Sequence, residues 1–247
     1  MNPFKMQRIH LLLCGLTTAF ALSSCSAPMV GGGGSTHDAL GHRPGPQGFR
    51  TVVIDAGHGG KDSGAVSPIT GMKEKDLTLD TARRLRAELG GQFRVVMMRD
   101  SDEFIDLDDR AARASRVHDG ILISIHYNKG PGYLSGVETF YWRVDSYSLA
   151  KRAQAALSSV SHSSNRGLVR RRLRLTRNAE LPSFLVECGY LSNAVEARRL
   201  ADPGYRQQIA KALASAIRAQ ASMGDAGSGP LPPPINAPLS RPTDAPE

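Results

Sequence analysis

Four side chains in this sequence have the types and settings to do chemistry. His58 lies in the glycine-rich stretch DAGHGGKDSGA, Glu74 in GMKEKD, His126 in ISIHYN and Glu187 in LVECGY. Imidazole and carboxylate in this combination make a ligand set for catalytic zinc, which takes three protein ligands and keeps a fourth position open. Two neutral imidazoles and one carboxylate leave net positive charge at the metal, which acidifies water and polarises a carbonyl. A second carboxylate, off the metal, can take the water's proton and return it to a leaving amine. The glycines beside His58 permit a sharp turn and close approach of a substrate. Each residue also has an ordinary reading. His58 could neighbour a phosphate loop or be a plain polar turn residue, and His126 could be a hydrogen-bonded core histidine. Glu74, between Lys73 and Lys75, could be a solvated charge at a helix start. Glu187 follows the apolar residues Phe184, Leu185 and Val186, so its carboxylate has a burial cost to offset.

The elements that must position these groups alternate in type. TVVID (Thr51–Asp55), Phe93–Met98, Gly120–His126, Gly136–Trp142 and Pro182–Glu187 read as strands, short and rich in β-branched or aromatic residues. Between them lie helical patterns. Leu77, Thr81, Leu85 and Leu89 recur four apart before Gly90. Leu107, Ala111, Ala114 and Val117 share a face; Tyr147–Val160 follows, and Ile209, Leu213 and Ile217 mark a last helix. Strands alternating with helices argue for one α/β domain, a mostly parallel sheet covered on both faces in three layers. Ligands of such sheets sit at the carboxyl ends of the strands. His58 follows the first strand, His126 stands one step past the third, Glu187 ends the last, and Glu74 immediately precedes the first helix. The set converges on one sheet edge, which makes the four ordinary readings together hard to sustain.

The remainder of the chain bears on where it acts. It has 247 residues, a net charge of +8, 40% hydrophobic and 22% charged residues, which suits one sizeable domain plus appendages. Lys5 and Arg8 precede an apolar run, Leu11–Leu22, that is shorter than the roughly 20 residues of a membrane span. This pattern is a secretory signal peptide. LSSC (Leu22–Cys25) resembles a bacterial lipobox, which implies removal of residues 1–24 and lipid on Cys25; the other reading is an ordinary signal peptide with Cys25 incidental. The Gly-rich residues 25–48 then form a flexible tether, residues 49–223 the domain, and 224–247 a Pro-rich disordered tail holding seven of the fifteen prolines. Ser26, in place of the aspartate that holds such lipoproteins at the inner membrane, points to a periplasmic, outer-membrane anchor. Cys14 leaves with the signal, so Cys188 alone remains in the domain and no internal disulfide can form. Its place beside Glu187 invites a nucleophile reading, but strand neighbours point to opposite faces and a buried cysteine is inert. His118 reads as a helix-end or surface group, and His37, His42 and His162 fall in loop-like sequence. Arg170, Arg171, Arg172 and Arg174 form a basic run that faces an anionic wall or merely solvent.

VVIDAGHGGKDSGA, GMKEKDLTL, ILISIHYN and LPSFLVECGYLSN resemble, in order and spacing, the signature blocks of zinc-dependent N-acetylmuramoyl-L-alanine amidases, over about Val52 to Ala219. RVVMMRD and DLDDRAARASR fit the family's intervening strand and helix. The resemblance implies an α/β sandwich around a mixed sheet of about six strands. It also implies zinc on His58, Glu74 and His126, Glu187 as the catalytic glutamate, and Asn128 as a possible support or a plain turn residue. The implied substrate is peptidoglycan, cut between N-acetylmuramic acid and L-alanine. The implied setting is an exported protein that reaches the membrane through its lipid and has no nucleic-acid partner; any protein activator stays unspecified. Two departures stand out. Ala56 occupies a position that is usually proline, which removes a rigid turn residue but no chemical group. The stretch Lys129–Gly136 is too short for the inhibitory helical insertion of some family members, which implies an open groove. The alternatives are a non-catalytic peptidoglycan-binding lipoprotein of this fold, which the intact set of four residues argues against, and a zinc peptidase acting within the stem peptide.

Overall fold

The computed structural model describes residues 44–160 and 164–230. The expected signal peptide, the expected lipidation site at Cys25, most of the expected tether, His37, His42, His162 and the expected tail from residue 231 lie outside the described residues. The described chain runs β1 (Thr51–Ala56), α1 (Glu74–Leu89), β2 (Arg94–Met97), α2 (Leu107–Ser115), β3 (Gly120–Asn128) and β4 (Val137–Tyr141). It continues through α3 (Tyr147–Val160), β5 (Asn165–Arg170), α4 (Arg174–Asn178), β6 (Ser183–Tyr190), α5 (Ala194–Ala201) and α6 (Pro203–Met223). The six strands form one sheet in the order β2-β1-β3-β6-β4-β5. Neighbours are parallel except β4 and β6, which run antiparallel, so the sheet is mixed and mostly parallel as expected.

Alternation along the strands divides two layers. Val52 and Ile54 of β1, Ile121, Ile123 and Ile125 of β3, and Val186 of β6 pack with α1, α3 and α6 in the main core. Val53 and Leu122 face the other way, against Ala111 and Ala114 of α2, Leu175 of α4 and Ala179 just after it. These two helices are short, and beyond them Phe140, Leu173 and Leu185 form a separate small cluster. The second face is therefore covered only in part, and its uncovered region holds the site.

Sequence and structure differ at identifiable places. The pattern contained no β5, because NRGLVR is a half-exposed edge strand whose residues read as the start of a basic run. Two short helices were also absent from it: α4 has five residues and α5 eight. For α5 a signal existed, since the Asn193 side chain accepts from the backbone amides of Val195 and Glu196 as an N-cap. β3 and β6 run past the expected ends to Asn128 and Tyr190, so His126 and Glu187 sit within strands rather than at their ends. Glu74 is the first residue of α1. The last residues of the expected tether and the first of the expected tail are tied to the domain. The amides of Gly45 and Gly48 donate to Asp225 Oδ2 and the Ala221 carbonyl at 2.9 and 2.8 Å, and Ser148 Oγ lies 2.5 Å from Asp225 Oδ1.

Candidate metal centre and cleft

His126 lies between Ile125 and Tyr127, both buried in the main core, so alternation turns its ring to the opposite face. Its register partner across the parallel β3–β6 pair is Glu187, and Glu187 pairs in turn with Glu138 across the antiparallel β6–β4 pair. Register partners share a face, so these three side chains stand in a row. A register shift in β3 follows His126 at once, a local irregularity of the kind that re-aims side chains at site rims. Cys188 points away, buried in the main core, and burial pushes its thiol well above its ordinary pKa. A buried thiol of raised pKa is no nucleophile.

His58 comes from the turn after β1. Its backbone has φ of +62°, a left-handed conformation uncommon outside glycine. Arg110 of α2 holds this turn: its guanidinium donates to the His58 carbonyl at 2.7 Å and to the Ala56 carbonyl at 3.0 Å, and pairs with the buried Asp55. Ser124 Oγ donates to the second oxygen of Asp55 at 2.7 Å. Arg99, itself buried, donates to the carbonyls of Ala56, Gly57 and Lys75, tying the His58 turn to the start of α1.

That tie brings Glu74 to the two histidines. Glu74 Oε1 lies 3.0 Å from His58 Nε2 and 3.1 Å from His126 Nδ1 and accepts from the Tyr127 amide at 2.9 Å; Oε2 accepts from the Ala65 amide at 2.9 Å. The three candidate ligand atoms fall within 4.8 Å of one another, and all three residues are buried. Burial works against charge on Glu74, yet hydrogen bonds from His126 and His58 hold its carboxyl well below the usual carboxylate range. Burial likewise lowers His58, but the Glu74 and Asp62 carboxylates outweigh it and leave its pKa raised. The far nitrogen of His58, Nδ1, meets Asp62 Oδ2 at 2.8 Å, which fixes ring orientation and tautomer.

The donor set fits a zinc ion: two imidazoles and one carboxylate, each anchored by a second contact or by the strand that carries it. The surroundings keep the space clear. A Cβ on Gly64 would come within 2.6 Å of His58 Cδ2 and 2.7 Å of Glu74 Oε2, and one on Gly57 within 2.3 Å of the His126 ring. Both glycines let backbone pass where any side chain would displace a ligand.

A cleft of about 520 Å³ opens from this cluster. Glu187 and Glu138 line it near the histidines, Phe140, Leu173 and Leu185 floor it, and Arg171 and Lys129 also face it. Asn128 lines the cleft too, with its side chain accepting from the Lys129 amide at 2.8 Å. The loop from β3 to β4 is short, and Tyr133 at its tip is 82% exposed. The structure thus gathers the four sequence candidates at one cleft. It adds Asp62, Arg110, Arg99 and Glu138, which no pattern singled out. Asp62 alone had a local signal, four residues beyond His58 in a polar turn.

Comparison with known proteins agrees with this geometry. The N-acetylmuramoyl-L-alanine amidase family model matches residues 52–219. The chain is 32% identical to the uncharacterized protein YqiI of Bacillus subtilis over 84% of this chain and 94% of that protein. It is 31% identical to the probable cell wall amidase LytH of Staphylococcus epidermidis over 68% of this chain and 57% of LytH, so it spans little more than half of that relative. The N-acetylmuramoyl-L-alanine amidase crystal structure from Clostridium difficile 630 superposes with a TM-score of 0.67 at 31% identity, covering 70% of this chain and 97% of that one.

Proposed function

The chain belongs to the N-acetylmuramoyl-L-alanine amidase family, and from this premise we propose that it hydrolyses the amide between the lactyl group of N-acetylmuramic acid and L-alanine in peptidoglycan, with zinc as cofactor. The observation that carries the reading is the convergence of His58, Glu74 and His126 at the mouth of a cleft that Glu187 also lines. His58 Nε2, a Glu74 oxygen and His126 Nδ1 would hold the ion, with the imidazoles neutral and the carboxylate charged. When bound, zinc supplies Lewis acidity for the scissile carbonyl and for the attacking water. Glu187 acts as the proton carrier. Its carboxylate accepts the proton of the attacking water and then delivers it to the departing L-alanine nitrogen, so that amide cleavage leaves a free amine. Glu187 is half-buried; it is neutral between the two steps and regains its charge on delivering the proton, so the group returns to its starting state. Asp62 orients the His58 ring, and Arg110 and Arg99 hold the turn that presents it.

The N-terminal sequence supports a lipid anchor on Cys25, export, and placement in the periplasm at the outer membrane, with the tether giving the domain reach toward its polymer. Incubation of the protein with peptidoglycan, with zinc and with a chelator, followed by mass analysis of the fragments, tests the proposal. Stem peptides beginning at L-alanine and released only with zinc are the expected result. Fragments cut within the stem peptide would assign a peptidase instead, and bound wall without fragments a binding module.

A further inference from the structure

We propose that Arg171 is a specificity-determining residue that binds a free carboxylate of the leaving peptide on the residue after L-alanine; this rests on the amidase reading above. Three observations carry it. First, the neighbours of Arg171 in the basic run are engaged elsewhere. Arg170 Nε donates to the Trp142 carbonyl at 2.7 Å, Arg172 lies over the Trp142 ring, 5.7 Å from the centroid, and Arg174 pairs with Asp108 at 2.5 Å. Among the described residues, no hydrogen bond or ion pair engages the Arg171 guanidinium; it lies over the Phe140 ring, 5.4 Å from the centroid, and faces the cleft. Such stacking fixes a guanidinium's plane and leaves its donor edge open.

Second, the spacing suits a peptide. Glu187 pairs with Glu138, and Phe140 stands two residues farther along β4 on the same face. Two strand residues span about 7 Å, so the guanidinium sits about that far along the groove from the proton carrier. An extended peptide covers about 3.3–3.6 Å per residue, which places the residue after L-alanine near Arg171. Third, away from the metal centre the cleft otherwise disfavours a carboxylate. Glu138 and Glu187 line it, Lys129 is the other side-chain cation there, and the floor between the two ends is the apolar cluster of Phe140, Leu173 and Leu185. Neutral sugar has no need of a fixed cation over an apolar floor, whereas a carboxylate there needs one, and a guanidinium fork matches it in two-point geometry.

The test uses the full chain loaded with zinc and two soluble muramyl peptides that differ only at the residue after L-alanine, where one carries a free carboxylate and the other a carboxamide. The wild type should favour the carboxylate substrate about tenfold in kcat/KM, the effect lying in KM. Arg171→Ala should bring that ratio to about one, and Arg171→Lys should restore part of it. A variant that loses both substrates equally, keeping the ratio, would overturn the proposal, as would an anion preference met equally by inorganic phosphate. Calorimetric titration with the two free peptides separates the two readings, because it needs no turnover. If the wild type cleaves neither substrate, the amidase reading fails. The subsite then stands if Arg171→Ala weakens binding of the carboxylate peptide alone, and falls if it does not.

Discussion

In the proposed reaction Glu187 and Asp62 act from different distances, and substitution separates them. Glu187 is proposed to move the proton, so Glu187→Gln keeps shape and hydrogen-bonding reach while removing the base. It should retain one zinc per chain by elemental analysis and lose about 10²–10⁴-fold in turnover. Normal cleavage by this variant would end the assignment. The Asp62 carboxylate meets His58 Nδ1 at 2.8 Å and accepts from the Gly64 amide at 2.9 Å. Asp62→Asn should therefore weaken zinc affinity by about 10–100-fold, measured by competition with a chelator. Its turnover at saturating zinc should fall less than that of Glu187→Gln, because it orients a ligand and moves no proton.

At the scale of elements, the site depends on where backbone can pass. The chain from β1 to α1 must thread between His58 and Glu74, and Gly64 does so with φ of +59° and no room for a methyl group. Gly64→Ala forces either the imidazole or the carboxylate from its place, and its own left-handed backbone adds strain. The expected outcome is a folded protein, by near-UV circular dichroism and melting, whose zinc content falls well below one per chain. Full zinc occupancy in that variant would show that the ligands relax around the methyl. The helices contribute differently. α1 offers Glu74 at its first turn, where its dipole favours a negative charge, and α2 contributes through Arg110 and not through its apolar face.

For the whole molecule, stability links to charge where α1 meets α6. Asp80 of α1 pairs with Arg84 at 2.8 Å and with Arg206 of α6 at 2.5 Å. Partial burial opposes its charge, but the two arginines outweigh it and leave its pKa lowered. A carboxylate whose native pKa is depressed stabilises the fold fully above its unfolded value, near about 3.9, and loses that contribution as pH falls through the native value. Asp80→Asn should thus lower the urea midpoint at neutral pH, and the gap to the wild type should narrow as pH falls below that unfolded value. A gap independent of pH would assign the effect to lost packing.

Much of this was written in the chain itself. Local patterning fixes the strand and helix types, because alternating or four-spaced apolar residues must bury one face. The glycines, histidines and glutamates stand in short blocks whose residues are chemically distinctive. Such features are set by neighbours in sequence, so His58, Glu74, His126 and Glu187 were legible together. The tertiary structure decided what depends on distant partners. Nothing near Arg110 or Arg99 announces that they hold the His58 turn, since their acceptors lie 42 to 54 residues away for Arg99 on Gly57 and Arg110 on Ala56. Glu138 joins the cleft only because β4 runs antiparallel to β6 and pairs it with Glu187. β5 is an edge strand, half-exposed and basic, and its strand character comes from pairing with β4 rather than from an apolar pattern of its own. Pairing, register and the buried polar clamps are long-range choices. They minimise unsatisfied backbone and charge across the whole sheet, and no window of sequence contains them.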